Sequence, residues 1–476
     1  MREGLKTMLW MAVGLTLAVR IEAQTEFERS FVDKTMRVDY FHTGGMGTEI
    51  VSLDRIVSDG PWAGSVMQLV DETNLGPYRF LIHDAADGRL LYSRGFASIY
   101  GEWETTAEAR EAHRTFHESL RFPWPKAPVR IVLEKRSAAN AFEPFVEWEV
   151  DPADRQVNPA DLAPLGDVWT VFEHGPPRQK VDLVVLGEGY TADELPKFHD
   201  DVERLVGRLF EYEPFRSRRE DFNVRAIDLP AAESGISRPH GGKYRRNPVA
   251  TRYSIFDSER YVLTFDNRTF RDVLSAAPYE FAVILVNEKQ YGGGGIYNLQ
   301  ATAAVGSEFA DYLFIHEFGH HFAALGDEYY TSPVAYETAA VEHAEPWEPN
   351  ITALKDPAQL KWGDMVTSGT PLPTPWDKER FEAHAREIQV RRARLIEEQA
   401  PEEAFDALFR EQRAIEREML SSMEHSGSVG AFEGASYEPR GLYRPEIDCI
   451  MFSRNMVRFC AVCRRALERI IDLYAS

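Results

Sequence analysis

Tyr312-Leu313-Phe314-Ile315-His316-Glu317-Phe318-Gly319-His320-His321-Phe322-Ala323-Ala324-Leu325-Gly326-Asp327-Glu328-Tyr329-Tyr330 is the stretch on which the reading of this 476-residue chain turns. It carries the pattern H-E-x-x-H inside an apolar run. Positions four apart on a helix lie about 40° apart around the axis and about 6 Å along it, so two imidazoles so spaced reach one ion. His316 and His320 are therefore candidate zinc ligands. Glu317 sits beside the first of them, where its carboxylate can take a proton from a water attacking a carbonyl. Five common residues alone carry little weight. Here Leu313, Phe314, Ile315, Phe318, Phe322 and Leu325 predict a buried helix, and burying two histidines and a glutamate demands a reason.

A catalytic zinc site takes three protein ligands and leaves one position open. Asp327 is seven residues past His320, and seven helical residues would carry it about 10 Å along the axis, out of reach. The helix must stop first, and Gly326 is the expected stop, because glycine adopts the left-handed conformation that ends helices. Asp327 is then the favoured third ligand and Glu328 its competitor. His321 should point away from the site as a packing residue. Downstream, Asp448-Cys449-Ile450-Met451-Phe452-Ser453 reads as a tight turn presenting a methionine, a polarisable floor for the histidines.

Around this segment, residues 168–476 alternate strands with helices. Val181 to Leu186, Phe222 to Ile227, Tyr261 to Phe265 and Phe281 to Val286 read as strands, and Thr191-x-x-Glu194 is a capping box opening a helix towards Phe210. Charged, alanine-rich residues 377–423, broken at Pro401, predict a two-helix insertion, read either as solvated or as a gate or partner arm. Residues 24–150 show period-two runs punctuated by turns, among them Tyr78 to Ile82, Leu90 to Tyr92, Val129 to Leu133 and Phe145 to Trp148, which predict an antiparallel β-sandwich. Residues 151–167, with Pro159 and Pro164, read as a linker. The expected fold is thus multidomain, a β-sandwich followed by an α/β domain with a helical insertion.

Composition limits the partners. Seventy-six acidic against 54 basic residues give a net charge of -22, which repels phosphate backbones and argues against nucleic acid as a ligand. Arg2 and Lys6 precede an apolar run, Met8 to Val19, and residues 1–23 read as a signal peptide for secretion or export to a periplasm. No later segment reads as a membrane span. Cys449, Cys460 and Cys463 are the only cysteines, too few for a four-cysteine zinc site, and in an exported protein one disulfide among them is expected. Gly292 to Gly295 reads either as an edge strand receiving an extended peptide or as a plain loop; no Gly-Lys-Ser/Thr follows to make it a phosphate loop.

The zinc-helix string resembles the immunoglobulin A peptidase family of bacterial zinc metallopeptidases. The resemblance extends to Gly187-Glu188-Gly189-Tyr190-Thr191, Ala232-Glu233-Ser234-Gly235, Tyr291 to Asn298, Glu345-Pro346-Trp347-Glu348-Pro349-Asn350, Cys449-Ile450-Met451 and Phe459-Cys460-Ala461-Val462-Cys463. It implies a metzincin-like peptidase with one catalytic Zn²⁺ held by His316, His320 and Asp327, with Glu317 as general base, Met451 in a methionine turn and a protein or peptide substrate. The chain departs from the broader metzincin pattern, H-E-x-x-H-x-x-G-x-x-H/D, in having Ala323 and Gly326, which shifts the third ligand by one. The competing functional reading is a binding or scaffold protein for glycan or protein whose zinc site is vestigial; an intact Glu317 argues against it. Tyr329, Tyr330 and Tyr443 are candidates for stabilising an oxyanion.

Overall fold

The computed structural model describes residues 26–331 and 343–475; the segment read as an export signal lies outside them. Alternation of apolar and polar residues builds two four-stranded sheets from β1 (Phe31–Gly45), β2 (Thr48–Ser58), β3 (Tyr78–Asp84), β4 (Leu90–Phe96), β5 (Arg114–Pro125), β6 (Val129–Arg136), β7 (Phe142–Val150) and β8 (Val157–Asn158). Their orders are β5-β1-β2-β8 and β4-β3-β6-β7, antiparallel except for β2 with β8. Met36, Val38 and Leu120 of the first sheet share one core with Phe80, Ile131 and Leu133 of the second. Val157 and Asn158 of the proline-containing stretch pair with Ile56 and Val57, so part of that stretch is sheet.

The second half is a six-stranded sheet of order β13-β14-β12-β10-β11-β9, built from β9 (Asp167–Phe172), β10 (Val181–Glu188), β11 (Phe222–Asp228), β12 (Phe281–Val286), β13 (Gly293–Ile296) and β14 (Gln300–Ala304). Its centre is parallel and its two edge strands antiparallel. The central strands are apolar on both faces because helices cover both. Leu183, Val185, Val224 and Val283 face α1 (Leu195–Leu209) and α3 (Ala310–Ala323), while Val184, Leu186, Ile227 and Ile284 face α2 (Asn267–Leu274). The Thr191/Glu194 capping box is formed and leads through one 3₁₀ turn into α1. Asp272 of α2 pairs with Arg37 and Arg55, fastening the two halves together through partly buried charge.

Two expectations change. Tyr261 to Phe265 is not a strand: it makes single bridges, Tyr261 to Gly293 and Leu263 to Arg252, and left-handed Phe256 and Asp257 break the run just before it. The charged hairpin, α4 (Lys378–Glu397) and α5 (Glu402–Ser421), is packed rather than merely solvated. Phe381 packs 5.2 Å from Phe452, Phe409 lies 5.8 Å from Phe309, and Glu402 pairs with Arg260 at 2.8 Å. A short hairpin, β15 (Phe432–Ala435) and β16 (Glu438–Arg444), and α6 (Ala461–Tyr474) complete the domain.

Candidate metal centre

Helix α3 is apolar around most of its circumference and is accordingly buried, lying across β13 and β14. The approach is close because β13 is glycine. A Cβ on Gly295 would lie 2.3 Å from the Glu317 carbonyl oxygen and 2.8 Å from His320 Cβ, and one on Gly293 would lie 3.2 Å from Glu317 Cγ. The glycine run is therefore an edge strand pressed beneath the H-E-x-x-H helix. Gly293 is not a free template, since its amide and carbonyl already bond Arg260 and Val262.

The helix ends one turn after His320, but not at the residue expected. Ala324, not Gly326, takes the left-handed conformation (φ 56°), and its amide and that of Leu325 bond the carbonyls of His320 and Gly319. Gly326 serves close approach instead: a Cβ there would meet Ile351 Cγ1 at 2.8 Å. Asn350 clamps this loop, accepting from the Gly326 amide at 2.7 Å and donating to the Gly326 carbonyl at 2.9 Å and to Glu328 at 3.0 Å. Asn350→Ala should take this partner from the partly buried Gly326 amide and carbonyl and from the buried Glu328 carboxylate, and lower the unfolding free energy by about 2 kcal/mol. Urea denaturation checks this; an unchanged midpoint would mean that the clamp is not needed.

The reversal brings Asp327 back onto the histidines. His316 Nε2 lies 3.0 Å from Asp327 Oδ1, His320 Nε2 3.1 Å from the same oxygen, and the two Nε2 atoms are 3.1 Å apart. A tetrahedral ion with bonds of about 2.0–2.1 Å spaces its ligands about 3.3 Å apart, so this triangle fits one zinc with little movement. The outer groups agree. His316 Nδ1 donates to the Ile450 carbonyl at 3.0 Å, with Tyr312 Oη 3.2 Å away, and His320 Nδ1 donates to the Leu325 carbonyl. Both bonds direct the Nε2 lone pairs into the triangle. The Tyr437 hydroxyl donates to Asp327 Oδ2. His320 and Asp327 side chains keep 15% and 10% of their surface exposed, so the triangle is reachable from solvent.

Electrostatics follow from burial and these contacts. Burial works to raise the Asp327 carboxyl, but the two histidines prevail and hold it well below the usual range. Burial raises the Glu317 carboxyl above its ordinary range, opposed by His316 and His320. His321 points away, with Nδ1 donating to the Ile296 carbonyl and Nε2 accepting from the Ala282 amide; burial lowers it to about 3, so it packs as a neutral ring.

The methionine turn lies under the helix. Met451 is fully buried with Sδ 3.0 Å from where a Gly319 Cβ would be, and its carbonyl accepts from the Glu328 amide at 2.9 Å. Glu328 itself turns away from the histidines towards Cys463, 3.2 Å off, leaving Asp327 as the carboxylate at the triangle. The three thiols are free and buried, so the expected disulfide is absent; the sulfurs of Cys449 and Cys463 stand 3.9 Å apart. Of the candidate tyrosines, Tyr329 stacks on His316 at 6.0 Å, Tyr330 packs on Phe381, and Tyr443 bonds Thr352 through its backbone. The roles of Tyr312, Tyr437 and Asn350 escape the sequence reading. Tyr312 is four residues before His316 and could have been found by helical spacing; Tyr437 is 110 residues from Asp327 and carries no local signal.

Among the described residues no helix is long and apolar enough to cross a membrane. No curated protein matches the chain. A family model described as "Peptidase M64 N-terminus" matches residues 26–146, and one described as "IgA Peptidase M64" matches residues 170–471, more than half of the chain and the part that carries the triangle. The chain therefore belongs to the IgA Peptidase M64 family, and is a peptidase acting on protein.

Proposed function

We propose that the protein is an exported, zinc-dependent endopeptidase whose one catalytic Zn²⁺ is held by His316, His320 and Asp327, with Glu317 as general base. The observation that carries this reading is the triangle of ligand atoms 3.0–3.1 Å apart, with both imidazoles anchored through Nδ1. When bound there, zinc supplies Lewis acidity that polarises the scissile carbonyl and acidifies water. Glu317 takes the proton of the attacking water and delivers it to the departing amine nitrogen. Tyr437 orients Asp327, the Ile450 and Leu325 carbonyls hold the imidazoles, and Met451 fills the space beneath Gly319. The same reading takes the paired N-terminal sheets as a sandwich and the C-terminal domain as metzincin-like. Export rests on the basic and apolar character of residues 1–23.

Metal removal tests the reading. Cleavage of a random peptide library should disappear after dialysis against a chelator and return with Zn²⁺ alone. Cleavage that survives complete loss of metal would end the proposal.

A further inference from the structure

Behind the methionine turn, four potential metal ligands converge from three separate segments: Glu328 after the third-ligand loop, Cys449 at the turn, and Cys460 and Cys463 at the start of α6. All four residues are completely buried. Their ligand atoms lie within 4.8 Å of one another. Cys449 and Cys463 sulfurs are 3.9 Å apart, and Glu328 Oε1 lies 3.2 Å from Cys463 Sγ and 3.7 Å from Cys460 Sγ. A tetrahedral zinc with Zn–S of about 2.3 Å and Zn–O of about 2.0 Å spaces sulfurs about 3.8 Å apart and sulfur from oxygen about 3.5 Å. The match is close.

An apolar core does not explain these groups. Glu328 Oε2 is buried with no hydrogen-bond partner, a cost that a bound cation would remove. The surroundings suit thiolates: the Cys460 amide donates to Cys449 Sγ at 3.3 Å, and the Cys463 amide to Cys460 Sγ at 3.4 Å across the first turn of α6. Arg444, also fully buried, adds positive potential at Glu328 and Cys449. A disulfide would use two of the sulfurs and leave the third thiol and the carboxylate uncompensated.

The geometry points to a second metal site, in which Cys449, Cys460, Cys463 and Glu328 form a closed, four-ligand structural zinc centre. Three thiolates and a carboxylate occupy all four positions, so the centre binds no substrate and has no open place for water. Its position gives it a task. Glu328 adjoins Asp327, and Cys449 stands two residues before Met451, so one ion ties the third-ligand loop, the floor under the histidines and α6 together.

The centre does not depend on the histidine triangle, and the test keeps the two apart. The full chain, reduced, loaded with Zn²⁺ alone and desalted, should carry a sulfur-coordinated zinc even as the double variant His316→Ala/His320→Ala, with sulfur neighbours at about 2.3 Å in zinc X-ray absorption. Cys460→Ser/Cys463→Ser should lose one equivalent of zinc relative to wild type, whereas Glu328→Cys should retain it by completing a four-sulfur set. Should the serine variants fail to fold, Co²⁺-loaded wild type still reports, through its near-ultraviolet thiolate charge-transfer absorption. Zinc in the histidine double variant without sulfur neighbours, no thiolate band with Co²⁺, or a disulfide among the three cysteines in the purified protein would overturn the proposal.

Discussion

Glu317→Ala is expected to lower peptide cleavage by about 10²–10⁴-fold, the range that general base catalysis supplies, while the zinc content stays at the wild-type level. The two readouts separate because Glu317 is not one of the three converging groups: His316, His320 and Asp327 meet each other at 3.0–3.1 Å without it. The fold should survive, since alanine has the highest helix propensity and the substitution shortens a side chain in the interior of α3. Adding zinc should not rescue the variant, because what is missing is a proton acceptor rather than a ligand. Glu317→Gln sharpens the test by preserving shape and removing only the ability to take a proton. Cleavage at the wild-type rate in either variant would remove Glu317 from the chemistry, and loss of zinc together with activity would recast it as a ligand.

How much of this centre is legible in the sequence follows from where its parts lie in the chain. His316, Glu317 and His320 occupy one helix, where a period of 3.6 residues converts spacing into direction, and local sequence is sufficient. Asp327 is reachable by the same logic, because a helix that continued would have carried it out of range. The residue that ends the helix differs from the expected one for a physical reason: glycine is the usual left-handed cap, but here Ala324 adopts that conformation while the Asn350 clamp and the contact with Ile351 require glycine two residues later. Those partners come from another segment, so no local rule reveals them. Tyr261 to Phe265 has the aromatic and β-branched composition of a strand, yet it meets its neighbours one residue at a time. The cysteines show the same limit. Sequence supplies three thiols and suggests a disulfide, whereas the fourth group facing them, Glu328, is contributed by the loop after α3 and reads from sequence only as a competing ligand of the histidine site.

Asp327→Ala should weaken zinc binding at the histidine centre by more than about 10²-fold, because loss of an outer-shell partner already costs about 10–100-fold and Asp327 is a direct ligand in the proposed set. The carboxylate contributes more than an oxygen atom. It brings the negative charge that offsets the cation, and it lies 3.0 and 3.1 Å from the two imidazole nitrogens at the end of a reversal held by Asn350. Asp327→Asn keeps the shape and removes the charge, so it should fall between wild type and alanine. Tyr437→Phe removes the hydroxyl that orients the second carboxylate oxygen and should cost about the 10–100-fold of an outer-shell contact. Competition with a chelator, followed through recovery of cleavage, reads this centre alone, since a closed structural zinc would not turn over peptide. The expected order of affinity is wild type, then Tyr437→Phe, then Asp327→Ala. Wild-type affinity in Asp327→Ala would mean that another group completes the site, and the loop after Ala324 would then need a purpose other than delivering a ligand.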